Sequence, residues 1–210
     1  MKKSIEKITY CFVIIAALFV SFVSFVEPLV MKDINITKVI LVLLCYAAVF
    51  TGSLTLFRQL SERALYYLII AGIFAAVIVQ TYIVFHMRLV PKVDLNHIYD
   101  YCVDMVETGK ISYAESKYFA YNTNNIPLAI VIYYVFRMAS FAGMDYRIAG
   151  GLFNVLLILV MYVSAFLILK KVTTIRTTAV YMVLLLTNPS FYAYASYYYT
   201  CLLYTSPSPR

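Results

Sequence analysis

Polar side chains that could carry out chemistry are concentrated in one short stretch of this 210-residue chain. Five of its ten acidic residues fall between Asp94 and Glu115, and both histidines, His86 and His97, lie in or beside that stretch. Long apolar runs surround it. Because carboxylates and imidazoles are the usual groups of general acid–base catalysis, this stretch is the expected place for a functional site.

Polar residues after the start of this stretch recur at intervals of three and four positions, which places them on one face of a helix. They are His97, Asp100, Asp104 and Glu107. Apolar residues fall on the other side, namely Ile98, Cys102, Met105 and Val106. The pattern predicts an amphipathic helix of about three turns that ends at a Gly109 C-cap and lies in a membrane interface. The three acids are expected to form a solvated face.

Asp94 stands just before the predicted helix and has two possible roles. Its carboxylate could accept hydrogen bonds from the backbone N–H groups of the first turn, as an N-cap does. It could also act as a catalytic base at the membrane surface, close to a lipid phosphate headgroup. One residue can serve both purposes, and spacing alone favours the cap.

Aromatic and amide side chains form a strip after the helix. Rings can stack on sugars and amides can bind sugar hydroxyls, although the same residues can form an interfacial aromatic belt. A second tyrosine-rich segment runs from Asn188 to Thr200 and allows the same two interpretations. The candidate binding residues are His97, Tyr118, Tyr121, Asn124, Asn125, Tyr198 and Tyr199.

Composition predicts an all-α integral membrane protein. The chain is 63% hydrophobic and 13% charged, with a mean hydropathy of +0.84, whereas soluble domains carry roughly 25% charged residues. About five transmembrane helices are expected. The apolar runs are Ile8 to Val26, Val39 to Leu56, Leu65 to Phe85, Ile148 to Leu169 and the shorter Thr177 to Thr187. The first four contain no charged residue, which counts against an ion-coupled transporter.

Basic residues at the span ends predict a cytoplasmic N-terminus and a long external loop, residues 86–147. The apolar patch Ile126 to Phe136 has eleven residues, or about 16 Å of helix, and is therefore expected to be interfacial or re-entrant. Arg88, Lys92 and Arg147 are the candidate external cations. The net charge of +7 is explained by the span ends, so no nucleic-acid partner is expected. No metal site, cofactor or disulfide framework is predicted either, because no C-x-x-C spacing occurs.

The last ten residues, CLLYTSPSPR, differ sharply in composition from the preceding segment. Their back-translation resembles a transposon-end adapter used in sequencing libraries, and the tail is expected to be an artefact that interrupts a longer protein. The predicted organisation is an N-terminal transmembrane hairpin at 1–64, a second transmembrane module that begins at 65 and runs to 200, and the artefactual tail at 201–210.

These features together resemble the GT-C superfamily of membrane glycosyltransferases, and most of all the family 39-type proteins related to protein O-mannosyltransferases and aminoarabinose transferases. The resemblance covers roughly residues 65 to 200. It is carried by Pro91-x-x-Asp94, Tyr118-Phe119-Ala120-Tyr121-x-x-Asn124-Asn125-x-Pro127, Asn188-Pro189 and Tyr198-Tyr199-Thr200.

The resemblance implies transfer of a sugar from a polyprenyl-phosphate donor to a glycan, lipid or protein acceptor on the outer face of a bacterial plasma membrane, usually with inversion. It makes Asp94 the base or acceptor-positioning group. Many relatives carry two adjacent acids in this loop, whereas here Leu95 follows Asp94. The 210-residue piece itself is expected to be inactive, because family catalysis needs later helices and loops.

Two other functions remain open from the residues alone. The first is a non-enzymatic flippase or polysaccharide-export component that binds the same lipid carrier, for which Asp94 would be expendable. The second is a solute transporter, which would require an internal repeat or ionisable residues in further helices. The sequence does not identify the sugar, the acceptor or the lipid.

Overall fold

The structure is a computed structural model, and it describes residues 44, 47, 48, 51–53, 55–87, 94–188 and 190–196. Every regular element in these residues is helical, as predicted, and none is a strand. The helices are α1 (Glu62–His86), α2 (Asp94–Glu107), α3 (Tyr113–Tyr121), a 3-10 turn (Thr123–Asn125), α4 (Ile126–Phe141), α5 (Tyr146–Val172), α6 (Ile175–Leu186) and α7 (Ser190–Ala193).

Helices α1 and α5 are long enough and apolar enough to cross a membrane. They contain 25 and 27 residues, and most of these residues are apolar. At 1.5 Å per residue each exceeds the ~30 Å thickness of a hydrocarbon core. They contain the predicted runs Leu65 to Phe85 and Ile148 to Leu169. The predicted span at Ile8 to Val26 lies outside the described residues, as does most of the run from Val39 to Leu56.

Capping side chains fix where several helices begin. The Asp145 carboxylate accepts hydrogen bonds from the backbone N–H groups of Arg147, at 2.7 Å, and Ile148, at 3.4 Å, at the start of α5. The Thr174 hydroxyl accepts one from the Thr177 N–H at the start of α6. Such caps satisfy N–H groups that have no partner within the helix.

The chain divides into two compact units, each built from separate segments. The first holds the described residues up to Ala76 together with Leu159–Tyr192. Its aromatic contacts include the edge of Tyr66 against Phe166, with ring centroids 6.0 Å apart, and Tyr162 against Phe191 at 5.8 Å.

The second unit holds Val77–Ile158 and the described residues from 193 onward. Its main core forms where the apolar face of α2 packs on α4. The predicted face of α2 is therefore correct, but α4 covers its buried residues, where the sequence had suggested lipid. The buried residues are Leu95, Ile98 and Cys102 of α2, and Leu128, Ala129, Ile132 and Phe136 of α4.

Helix α4 is longer than predicted. It continues through the exposed Arg137 to Phe141, and its 16 residues span about 24 Å, so the estimate based on eleven residues was wrong. Arginine is a good helix former and does not end a helix on its own. The chain turns only at Gly143, whose φ of 63° lies in the left-handed region. Helix α2 ends at Glu107, and Gly109 follows two residues later with a φ of 68°, as expected for a glycine at the end of a helix.

A second cluster in this unit joins the end of α1 to the start of α5 through Val84 and Val155, with Ala195 buried beside them. The backbones approach closely here, because a Cβ on Gly151 would lie 2.7 Å from Val84 Cγ1. The buried Asn154 amide donates hydrogen bonds to the carbonyl oxygens of Tyr194, at 2.9 Å, and Ala195, at 3.2 Å. Residues 194 and 195 are thereby attached to α5.

Candidate functional site

Helix α2 presents the polar residues of the candidate site in a fixed order. Asp94 is its first residue and is partly buried, and its negative charge is favourable at the N-terminal end of a helix. His97 and Asp100 follow on the face opposite the core. The Asn96 amide donates a hydrogen bond of 2.6 Å to the Asp100 carboxylate. The packing of α2 on α4 therefore holds this polar face in one orientation.

His97 lies beside a buried carboxylate that belongs to the next helix. Its Nδ1 atom is 3.8 Å from Oε1 of Glu115, whose side chain is only 8% exposed. Glu115 lies in the first turn of α3, where its own N–H donates to the Ser112 hydroxyl. A buried carboxylate is costly unless it is paired or hydrogen-bonded, and the structure places the His97 imidazole beside this one.

Tyr118 and Asn125 complete the cluster. The ring of Tyr118 stacks on the His97 imidazole, with centroids 4.3 Å apart and planes inclined by 18°. The buried Asn125 amide donates a hydrogen bond to the Tyr118 hydroxyl, whereas its Oδ1 atom has no hydrogen-bond partner. Three candidate residues from the sequence, His97, Tyr118 and Asn125, are thus brought together from three separate elements.

Electrostatics differ along this face. Burial raises the pKa of the Asp100 carboxyl, and the negative charges of Glu115 and Asp104 raise it further. The hydrogen bond from Asn96 and the charge of His97 lower it by less. Asp100 is therefore easier to protonate than an ordinary aspartate, one helical turn beyond His97.

Arg147 occupies a different side of α2. Its guanidinium carbon lies 5.7 Å from the centroid of the Tyr99 ring, a cation–π contact. Burial raises the pKa of the Tyr99 phenol, and the hydrogen bond and charge of Arg147 oppose that effect. Tyr99 is two residues after His97, or about 200° around the helix, so the structure does not bring Arg147 and His97 together.

The remaining candidate residues are exposed or outside the description. The side chain of Tyr121 is 80% exposed at the end of α3, and Asn124 is exposed in the 3-10 turn. Neither is part of the cluster around His97. Arg88, Tyr198 and Tyr199, and also Lys92, lie outside the described residues.

Glu115 is the one residue of the cluster that the sequence did not identify as a site residue. Ser112 and Glu115 have the S-x-x-E spacing of a helix start, and this pattern predicts a cap more readily than a site. The local pattern places Glu115 in the first turn of α3, as observed. Its approach to His97 depends on how α3 returns towards α2, which no local pattern records.

The arrangement offers a stacked imidazole, two neighbouring carboxylates and a buried amide, a set suited to binding hydroxyl groups and moving a proton. In the described part of the chain, no group of three or more His, Cys, Asp and Glu side chains could hold a metal ion. Comparison of the sequence with protein-family profiles and curated proteins, and of the fold with solved structures, finds no match.

Proposed function

We propose that the protein transfers a sugar from a polyprenyl-phosphate donor to an acceptor at the extracytoplasmic face of a membrane, as an inverting GT-C-type glycosyltransferase. One observation carries the proposal. Tyr118 and Asn125, two residues through which the sequence resembles that superfamily, contact each other, and Tyr118 stacks on His97 in the helix that begins at Asp94. Residues related only by sequence order thus form one polar cluster.

The place of the cluster in the chain supports the same proposal. It lies between α1 and α5, the two described helices that are long and apolar enough to span a membrane. A polar cluster between two spans would lie near the headgroup region, where the phosphate of a lipid-linked sugar is found. We propose a multi-pass protein of the bacterial plasma membrane, with about five spans and with residues 86–147 outside.

The proposed reaction gives Asp94 the central role. Its carboxylate takes the proton of the acceptor hydroxyl while the hydroxyl oxygen attacks the anomeric carbon. The bond from that carbon to the phosphate oxygen breaks, and its electron pair leaves with the lipid phosphate. Attack from the face opposite the leaving phosphate inverts the anomeric configuration. Arg88 and Lys92 are the candidates to stabilise the charge on the phosphate, whereas Arg147 contacts Tyr99 on another side of α2.

Asp94→Asn tests the proposal directly. Transfer should be measured on the full-length product of the source gene in membrane vesicles, with a radiolabelled polyprenyl-phosphate sugar. A general base contributes ~10²–10⁴-fold to the rate, so the variant should lose at least about 100-fold of the transfer activity.

Glu107→Gln is the matched control, since Glu107 is an exposed acid at the other end of the same helix and should leave transfer unchanged. Full activity in the Asp94→Asn protein would contradict the proposed mechanism. Absence of transfer in the wild type, with retained binding of the lipid carrier, would instead indicate the flippase or export function.

A further inference from the structure

The two nitrogens of His97 have different surroundings. Nδ1 is enclosed and has no hydrogen bond within the usual distance, and its nearest ionic partner is the Glu115 carboxylate at 3.8 Å. The side chain as a whole is 40% exposed. Since Nδ1 is enclosed, the exposed part of the ring includes the edge that carries Nε2. A ligand outside the cluster would therefore meet Nε2.

The ring is also held in orientation. Tyr118 covers one face of the imidazole, and the buried Asn125 amide donates to the Tyr118 hydroxyl. The Oδ1 atom of Asn125 is left without a hydrogen-bond partner although the residue is only 3% exposed. Such an orphaned acceptor is rare in a folded protein, and it marks the cluster as a place where a donor from a ligand would be favourable.

Another acidic group lies near the His97 imidazole and the Glu115 carboxylate. Asp100 lies close enough to Glu115 for the negative charge of Glu115 to raise the pKa of the Asp100 carboxyl. A hydrogen on Nδ1 directed at the Glu115 carboxylate is favourable for that buried group. Hydrogen bonds of catalytic pairs are often long without substrate and shorten when it binds, and the 3.8 Å separation is consistent with that behaviour.

We infer that Glu115 is a positioning residue that sets the tautomer of His97, so that Nδ1 carries the proton and Nε2 accepts a hydrogen bond from a hydroxyl of the ligand. The tautomer of an imidazole is set by the hydrogen bond of its other nitrogen. The identity of the ligand as the sugar of the donor or acceptor rests on the proposed function. The tautomer itself does not.

Nitrogen-15 NMR of the full 210-residue chain in detergent micelles measures the tautomer. The chain has two histidines, and His86→Gln assigns the signals. At a pH of about 9, where imidazoles are neutral, His97 should show a protonated Nδ1. Glu115→Leu should remove that pattern, whereas Glu115→Gln should retain it, because the amide oxygen is also an acceptor for the Nδ1 proton.

His86 serves as the internal control, since its Nδ1 lies 2.9 Å from the Tyr82 carbonyl oxygen and its signals should stay the same in every Glu115 variant. A wild-type His97 protonated on Nε2 would overturn the inference without any variant. A Glu115→Leu spectrum identical to that of the wild type would also overturn it.

Kinetic measurements on the full-length product of the source gene test the identity of the ligand. His97→Gln and Glu115→Leu should raise the KM for the lipid-linked sugar roughly tenfold with a smaller change in kcat, as loss of a uniform binding contact does. An unchanged KM would overturn the role in hydroxyl binding. Absence of transfer in the wild type would overturn the proposed function and the sugar as ligand, while the tautomer is decided by NMR alone.

Discussion

His97 lies flat against Tyr118, with ring centroids 4.3 Å apart and ring planes inclined by 18°. The two residues belong to α2 and α3, so the stack connects helices that are separated by a turn. The Tyr118 hydroxyl accepts the hydrogen bond from Asn125. This one side chain therefore has two contacts that substitution can separate.

Tyr118→Phe should keep the stack and lose the hydrogen bond, whereas Tyr118→Leu should lose both. The aromatic ring shifts the proton resonances of the imidazole above it, so the His97 signals should move towards random-coil positions in the leucine variant only. The leucine variant should also be less stable than the phenylalanine variant by about 0.5–1.5 kcal/mol, the value of an aromatic pair. Equal His97 shifts in both variants would contradict the stacked geometry.

Asp100 should stabilise the folded protein in acid relative to neutral pH. Its pKa is raised above the model-compound value of 3.8, first by burial and then by Glu115 and Asp104. The folded state thus keeps the proton where the unfolded state has lost it. The contribution of Asp100 to folding stability is fully present below pH 3.8. It is lost as the pH rises through the pKa that Asp100 has in the folded state.

Asp100→Asn should therefore unfold at a higher temperature than the wild type at pH 7, with the difference shrinking towards pH 3. Thermal unfolding of the detergent-solubilised chain across this range measures it. Glu107→Gln, an exposed neighbour, should show no such dependence. A less stable Asp100→Asn protein at pH 7 would mean that the carboxylate is net favourable.

Cys102 should be unreactive while the protein is folded. It is buried against α4, its Sγ donates to the Ala129 carbonyl oxygen at 3.3 Å, and burial raises the pKa of its thiol far above the usual range. Because the thiolate is the nucleophile, maleimide should label Cys102 only after unfolding. Ser116→Cys places a thiol on the exposed side of α3 as the reactive reference. Peptide mapping that finds Cys102 labelled as fast as position 116 would contradict this packing.

Asn154 should hold the residues that follow α7 against α5. Replacing it by leucine leaves the carbonyl oxygens of Tyr194 and Ala195 without their donor, at a cost of roughly 1–3 kcal/mol. Limited proteolysis should then cut near residue 194 sooner. Leu156→Ala alters an exposed residue of the same helix and should leave the cleavage rate unchanged. Equal rates for both variants would show that other contacts hold the segment.

Helices with strong periodicity were predictable from the sequence, and the reasons are local. The spacing of Ile98 and Cys102 identified the buried face of α2, to which Leu95 also belongs, and the apolar runs gave α1 and α5. The end of α4 was predicted too early because Arg137 was read as a boundary, although a charged residue on an exposed face does not interrupt a helix.

The site was only partly predictable. His97, Tyr118 and Asn125 could be named from residue type, but their meeting depends on the return of α3 and the 3-10 turn towards α2. Glu115 could not be distinguished from a capping residue. Arg147 was grouped with the site because it shares the predicted external side, yet the packing of α5 directs it to Tyr99.

The short loop at Gly109 fixes the number of residues between α2 and α3, so an insertion or deletion there would displace Glu115. Glu115 lies within the first turn of α3, so almost no helix separates it from the loop at 108–111. One added residue would move it by up to about 100° around the helix axis if the helix began at the same point in space. We therefore expect natural variants of this loop to keep its length, together with Gly109, whose φ is 68°, and Thr108, whose hydroxyl accepts a hydrogen bond from the Lys110 N–H.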